Sequence, residues 1–223
     1  MRKGFSLIEL AIALTVIGLV VGGVLVGKDL VRAAEIRSVL NDVDAFKSAV
    51  ATFQSKYRAL PGDLSNAASY WASTSNGDGD EQIDYLLGAP GEEYNAWQQL
   101  ALAEMIPGSY TGATNSLPPS RITNGYYRIS YQSPVYGKSG HMISLNGMNT
   151  TYSVAHKALL SSRDMYALDL KADDGLADSG IIMGFNEQGV PGCVNNYITD
   201  ATGTYIGTTD TITCKVFFVV SKQ

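Results

Sequence analysis

The sequence predicts an α+β fold: a long N-terminal helix, apolar in its first half and amphipathic in its second, packed on a small antiparallel sheet. Three observations predict it. An apolar run from Phe5 to Gly27 holds one ionisable residue, Glu9. An apolar stripe at helical spacing continues beyond Lys28. Runs of strand character then occupy the second half, separated by Gly, Ser, Thr and Asn.

The apolar run comes first. At about 1.5 Å per residue it is long enough to cross a ~30 Å hydrocarbon core. Arg2 and Lys3 precede it, which places the N-terminus in the cytoplasm and the rest across the membrane. The run is far longer than the ~7–15 apolar residues of a cleaved secretory signal. The helix is expected to continue past the membrane edge, because no proline falls between Phe5 and Leu60. Ile36, Val39, Val43, Phe46, Val50, Phe53 and Tyr57 alternate by threes and fours, one apolar face. Arg32, Glu35, Arg37, Asp42, Asp44 and Lys47 fill the wetter side. Leu60-Pro61-Gly62-Asp63 is expected to end the helix.

The remainder forms the head. Asp63 is expected to cap a short helix through Trp71, followed by a polar loop over 73–80. A further helix is predicted over 92–106, closed by Pro107-Gly108. Strands are predicted over 126–131, 141–145, 180–185 and 215–220. A short helix over 163–172 lies between the second and third, capped by Ser161 or Ser162 and stopped at Asp173-Asp174-Gly175.

Composition narrows the function classes. With 45% hydrophobic and 17% charged residues, the 223-residue chain has the makings of a folded domain. Its net charge is −5, with no Lys/Arg cluster beyond the first three residues, so a groove that neutralises nucleic-acid phosphates is poorly supported. The two cysteines, Cys193 and Cys214, lack metal-type spacing; a single disulfide in an oxidising compartment is the simplest reading.

Several motifs carry chemical options. Gly22-x4-Gly27-Lys28 mimics a phosphate-binding loop, but Asp29 replaces the hydroxyl residue and the glycines sit inside an apolar helix. The same glycines, as Gly18-xxx-Gly22 and Gly23-xxx-Gly27, permit close helix approach. Asn76, Asp78, Asp80 and Asp84 place oxygens at alternate positions around tight turns, a candidate calcium loop, with Glu92 or Glu93 available to complete the shell. The competing reading is a solvated Asn/Asp/Gly turn with no cofactor. His141 and His156 lack ligand-type neighbours and read as structural or surface residues. No nucleophile elbow or other catalytic constellation stands out, so the chain reads as a non-enzyme. Asn149-Thr150-Thr151 fits a glycosylation sequon and is given no role.

Glu9 needs a separate explanation. A carboxylate inside a membrane helix is costly unless it snorkels or finds a cation. Cleavage after Gly4 would free the Phe5 amine one turn from Glu9, and that amine is cationic at neutral pH. Lys3-Gly4-Phe5-Ser6-Leu7-Ile8-Glu9 resembles the cleavage and methylation motif of type IV prepilins and type II secretion pseudopilins. The resemblance implies cleavage after Gly4 by a prepilin peptidase, methylation of Phe5 and a filament-assembly role for Glu9. The domains implied are a leader over 1–4, a transmembrane part over 5–27 and a periplasmic or extracellular head over 28–223. Many pilins have a helix-kinking proline in the apolar run; here any local melting would fall near Gly18 or Gly22. Leu60-Pro61-Gly62-Asp63, the 76–79 loop, residues 96–103 and residues 167–175 are similar to segments of a pilin-like group. In pilins a disulfide often staples the C-terminal loop, and Cys193 and Cys214 match that arrangement.

The expected function is a structural subunit of a type IV pilus-like filament, made at the inner membrane and passed to a pilus outside the cell. The expected partners are copies of itself or other pilins, the peptidase and an inner-membrane assembly platform. The alternatives are a pseudopilin of a type II secretion system and, third, a single-pass membrane protein with a periplasmic binding domain. Structural calcium favours the first alternative, the disulfide a pilus.

Overall fold

A computed structural model describes residues 6–85, 91–135, 138–149, 154–187, 190–195, 203–207 and 209–222. Helix α1 spans Leu7–Tyr57, and it runs through the boundary between two compact units, Met1–Ser38 and Val39–Gln223. In the first unit the apolar side chains from Leu7 to Val31 stand exposed, and α1 is long and apolar enough to cross a membrane. Beyond the helix's own backbone and chain neighbours, nothing lies within 4 Å of a Cβ built on Gly18, Gly22, Gly23 or Gly27, so the faces carrying the Gly18–Gly22 and Gly23–Gly27 pairs are both open to close approach by another helix.

The second unit is the α+β head expected from the sequence. After α1 come α2 (Ala67–Tyr70), α3 (Glu92–Leu102), β1 (Gly125–Val135), β2 (Lys138–Asn149), β3 (Val154–Lys157), β4 (Leu160–Ser161), α4 (Ser162–Ala172), β5 (Ile182–Asn186) and β6 (Ile212–Lys222). The strands form one antiparallel sheet in the order β1-β2-β6-β4, with β3 on β2 and β5 on β6. The register aligns Ile129, Ile143, Phe218 and Ile182 in one buried row across four strands. Tyr127, Leu145 and Val216 form the next row on the same face, two residues along.

The outer part of α1 joins this core through its predicted stripe. Val39, Val43, Val50 and Phe53 are buried. The Phe46 ring meets Trp97 of α3 edge-on at 4.8 Å and Tyr127 of β1 at 5.1 Å. The Tyr127 hydroxyl donates to Asp42 Oδ2 at 3.0 Å, and Arg128 Nε donates to Glu93 Oε2 at 3.1 Å, which ties α3 to β1. Truncating Trp97, fully buried at this junction, to alanine costs about 3–5 kcal/mol.

The boundaries depart from expectation where backbone conformation, not residue type, decides. Helix α1 ends at Tyr57, before Leu60, because Arg58 turns into the left-handed region at φ 60°. Helix α3 stops at Leu102, before Ile106, and Glu104 is left-handed at φ 60°. Asp63 caps no helix; α2 is a single turn without a side-chain cap, and the Asp63 carboxylate is engaged elsewhere. Helix α4 follows expectation: the Ser161 hydroxyl accepts the Asp164 N–H at 3.1 Å. Strands β3 and β4 were not expected.

Candidate functional site

The start of α1 is built by its own sequence. Ser6 precedes the first helical residue, Leu7, and the Leu10 N–H closes the first turn on the Ser6 carbonyl at 3.2 Å. The Ser6 N–H donates to Glu9 Oε2 at 2.9 Å, and the Ile8 N–H reaches Ser6 Oγ at 3.4 Å. Ser-x-x-Glu with these bonds is a capping box, in which serine and glutamate satisfy donors the helix start leaves open. Glu9 is therefore held by a backbone amide in the uncleaved chain. Further along, the Thr15 hydroxyl donates to the Ile12 carbonyl at 2.8 Å, so it adds no open donor to the apolar run. Gly4 and Phe5, the residues of the expected processing site, lie outside the described residues.

The second cluster is the acidic loop. Two glycines close it. A Cβ on Gly62, at φ 91°, would meet the Glu92 carbonyl oxygen at 2.3 Å, and one on Gly77 would meet the Asp63 backbone at 2.4 Å. Only glycine lets the 62–63 turn, the 76–84 loop and the start of α3 come this close. The result brings Asp63, Asp78, Asp80 and Glu92 together, with one carboxylate oxygen of each within 4.8 Å of the others. Of the three carboxylates expected from the sequence, Asp78 and Asp80 belong to this group and Asp84 does not. The fourth expected residue, Asn76, accepts the Ala68 N–H on its Oδ1 at 2.8 Å. Glu92 joins the group, whereas Glu93 pairs with Arg128.

Backbone amides hold these carboxylates. Asp63 accepts Gly79 at 2.6 Å and Glu81 at 3.0 Å; Glu92 accepts Asp78 and Asp84, each at 3.0 Å. Burial pushes Asp63 and Glu92 above the usual carboxylate range despite these bonds, and the charge of Asp78 adds to the rise in both. Ligands around calcium lie ~2.3–2.6 Å from the ion, so oxygens of one shell fall within about 5 Å of each other. The four oxygens fit that limit and are hard donors, as calcium prefers.

The third cluster surrounds the disulfide. Cys193 and Cys214 are buried and bonded, closing a 21-residue separation. Asn186 Oδ1 accepts the Cys193 N–H at 2.7 Å, and the Ser162 hydroxyl donates to the Cys193 carbonyl at 2.8 Å. Within the closed loop, the Gly207 N–H donates to Ser162 Oγ at 2.9 Å, and the Tyr205 hydroxyl to Asp169 Oδ2 at 2.6 Å. A Cβ on Gly184 would strike the Tyr205 ring at 2.4 Å, so glycine in β5 makes room for that ring. Asp169 is 0% exposed and also accepts the Gly175 N–H at 3.0 Å; burial raises its pKa to about 6. Sequence reasoning missed Asp63, Asp169 and Tyr205. Asp169 had a signal: it falls with Ser162, Met165 and Leu168 on the buried face of α4.

His141 is buried, its Nε2 accepting the Ile83 N–H at 3.2 Å, and burial lowers its pKa; this is a structural histidine. His156 lies in β3, and its side chain is outside the described residues, as are Thr150 and Thr151 of the sequon.

A search of curated proteins finds no match to the chain. The family model of the prokaryotic N-terminal methylation motif matches residues 1–25, the segment that holds the Ser6–Glu9 box. That motif implies a structural protein, and its apolar helix is consistent with membrane anchoring. At its N-terminus this chain carries the prepilin-type signature shared by type IV pilins and pseudopilins.

Proposed function

We propose that this chain is a structural subunit of a type IV pilus-like filament. It is inserted in the inner membrane, cleaved after Gly4 by a prepilin peptidase, methylated at Phe5 and assembled through its apolar helix. The observation that carries the reading is the exposed apolar face from Leu7 to Val31, interrupted by Glu9 alone among ionisable residues up to Gly27, under a matched methylation motif. Such a face finds its solvent in lipid or in the helices of neighbouring subunits. In lipid the Phe5 amine of one subunit would be unpaired, and Glu9 of a neighbour supplies its counter-charge. The partners are other copies or other pilins, with an assembly platform in the inner membrane. The buried disulfide supports a pilus, where the C-terminal loop faces outward.

The test is the N-terminus of the protein in membrane and sheared-filament fractions. Mass spectrometry is expected to find chains starting at methylated Phe5 in both. A start at Met1, or beyond Gly27, would overturn the reading.

The acidic group favours a second reading, a pseudopilin with structural calcium. Asp63, Asp78, Asp80 and Glu92 would hold the ion, and backbone carbonyls would supply the rest of a ~6–8 oxygen shell. Bound calcium would neutralise the loop and fix it to α3. Loss of a secreted substrate on deleting the gene, without loss of surface filaments, would select this reading over the first.

A further inference from the structure

We infer that the aromatic and basic patch where α1 ends, formed by Tyr57, Tyr70 and Trp71 with Lys56 and Arg58, is a docking surface for a second copy of this chain. The inference rests on the filament reading and deepens it, naming a surface through which one head meets the next copy. Helix α1 ends at Tyr57, and the single turn α2 brings Tyr70 back beside it. The three rings pack on one another: centroids are 5.2 Å apart for Tyr57 and Tyr70, 5.3 Å for Tyr57 and Trp71, and 5.7 Å for Tyr70 and Trp71. Phe53, fully buried, lies 4.5 Å from the Tyr57 ring and ties the cluster to the core. Yet Tyr70 is 54% exposed, and Tyr57 and Trp71 are only half-buried. Rings already fixed by their neighbours lose little freedom when a partner covers them.

What the patch leaves open says what fits it. Among the described residues the Tyr57 and Tyr70 hydroxyls and the Trp71 indole N–H make no hydrogen bond. Lys56 Nζ lies 5.1 Å over the Tyr57 ring, and neither it nor Arg58, both exposed, forms an ion pair among the described residues. The one acidic residue between 54 and 71 is Asp63, which is buried and held by the Gly79 and Glu81 amides. The patch is therefore cationic, in a chain with 21 acidic and 16 basic residues. It repels its own image, so the contact is heterologous: this patch on one copy meets a different, acidic surface on the next. Repetition of such a contact without closure generates a helical filament. A second copy supplies the missing charge, since its Asp29 and Glu104 are exposed and form no ion pair among the described residues. Its backbone carbonyls can accept the three open donors. Tyr, Trp and Arg are also the side chains that most often carry binding energy between proteins. Lipid does not fit, because Tyr57 stands thirty residues along α1 from Gly27, where the apolar run ends.

The experiment places a photoreactive benzoyl-phenylalanine at Tyr70 of the full chain, in cells that carry its own assembly system. Sheared filaments and membranes are irradiated, and the joined peptides are identified by mass spectrometry. Position 70 is expected to join a second copy in the filament fraction, giving a species of twice the chain mass. Lys56→Glu with Arg58→Glu is expected to lower its yield about tenfold, the effect of losing one strong interface contact. Lys56→Arg with Arg58→Lys is expected to keep it. The label in the otherwise native chain tests the surface whether or not the charge-reversed variant folds. Filaments without the copy-to-copy product would overturn the inference, as would a product with another polypeptide, a polysaccharide or lipid. Equal yield from a folded charge-reversed variant would overturn it too. None of these results touches the filament reading itself. If no filament contains the chain, that reading falls first, and the presence or absence of the product in membranes then decides the patch.

Discussion

Asp169 makes the stability of the head depend on pH in a direction opposite to that of most carboxylates. The group is fully buried on α4, where it accepts the Tyr205 hydroxyl and the Gly175 N–H, yet burial wins and its pKa rises from 3.8 to about 6. The nearby charges of Asp173 and Asp174 push the same way. A carboxyl whose folded pKa lies above its unfolded one favours folding when protonated. Its contribution is therefore fully present below about pH 4 and is lost as pH rises through about 6. A shift of about two units corresponds to on the order of 3 kcal/mol. The perturbation is Asp169→Asn, which keeps the shape: its oxygen can accept Gly175 while its amide donates to the Tyr205 oxygen. The assay is chemical unfolding of the full chain in detergent from pH 4 to 7.5, read as the difference between wild type and variant, so that other titrating groups cancel. The variant is expected to gain on wild type by up to about 3 kcal/mol as pH rises, with most of the change between pH 4 and 6. Parallel profiles across that range would refute the reasoning, because Asp169 would then ionise in the fold as readily as in the unfolded chain.

Three further outcomes are expected. Glu9→Val should leave membrane insertion intact, since it removes an ionisable group from the apolar run, while the processed chain fails to enter filaments; a normal yield of sheared filaments would show that Glu9 has no assembly role. Replacing Cys193 and Cys214 together by serine should cost about 3 kcal/mol in unfolding experiments, by the chain-entropy relation for a loop of this length; thiol labelling of the unreduced native protein should be negative, and two reactive thiols would contradict the bridge. If calcium fills the Asp63, Asp78, Asp80 and Glu92 group, the full chain should melt higher in millimolar calcium than in chelator, by about 2.7 kcal/mol at a hundredfold excess over Kd; equal melting temperatures leave only a solvated turn.

What was legible in the sequence followed from periodicity. The apolar run and the stripe from Val39 to Tyr57 announce one helix with two solvents, and four of the strands could be found because alternation survives in them. The missed strands have four and two residues, too short for alternation to register, and they exist because β2 and β6 offer them partners. The ends of α1 and α3 were placed too late because Arg58 and Glu104 carry no residue-type signal for a left-handed turn. The acidic site was half legible. Asp78 and Asp80 sit in an evident Asp/Gly loop, but Asp63 and Glu92 join them through the close approaches at Gly62 and Gly77, which are tertiary facts. Glu9 was legible as an anomaly, and its partner Ser6 as the first member of a Ser-x-x-Glu spacing.

Asp169 and Asp174 lie five residues apart at the end of α4, yet the protein shifts them in opposite directions. Asp174 is exposed; the Ser179 hydroxyl and the Leu176 N–H stabilise its charge and hold its pKa below the ordinary value. Asp169 has comparable bonds but is buried, and desolvation outweighs them. The Asp174 contribution is present above the ordinary carboxylate range and fades on acidification, the reverse of Asp169. Solvent screens the exposed group, so the buried one governs the balance. The turn after α4 that carries Asp174 also leads to the Ala177 N–H bond to Gly203, inside the disulfide-closed loop, and Tyr205 ties that loop to Asp169 on α4 itself. Mild acid should therefore leave the loop better seated on α4 than neutral pH does. The covalent bridge limits how far the loop can stray, and the carboxyl sets how firmly it rests in place.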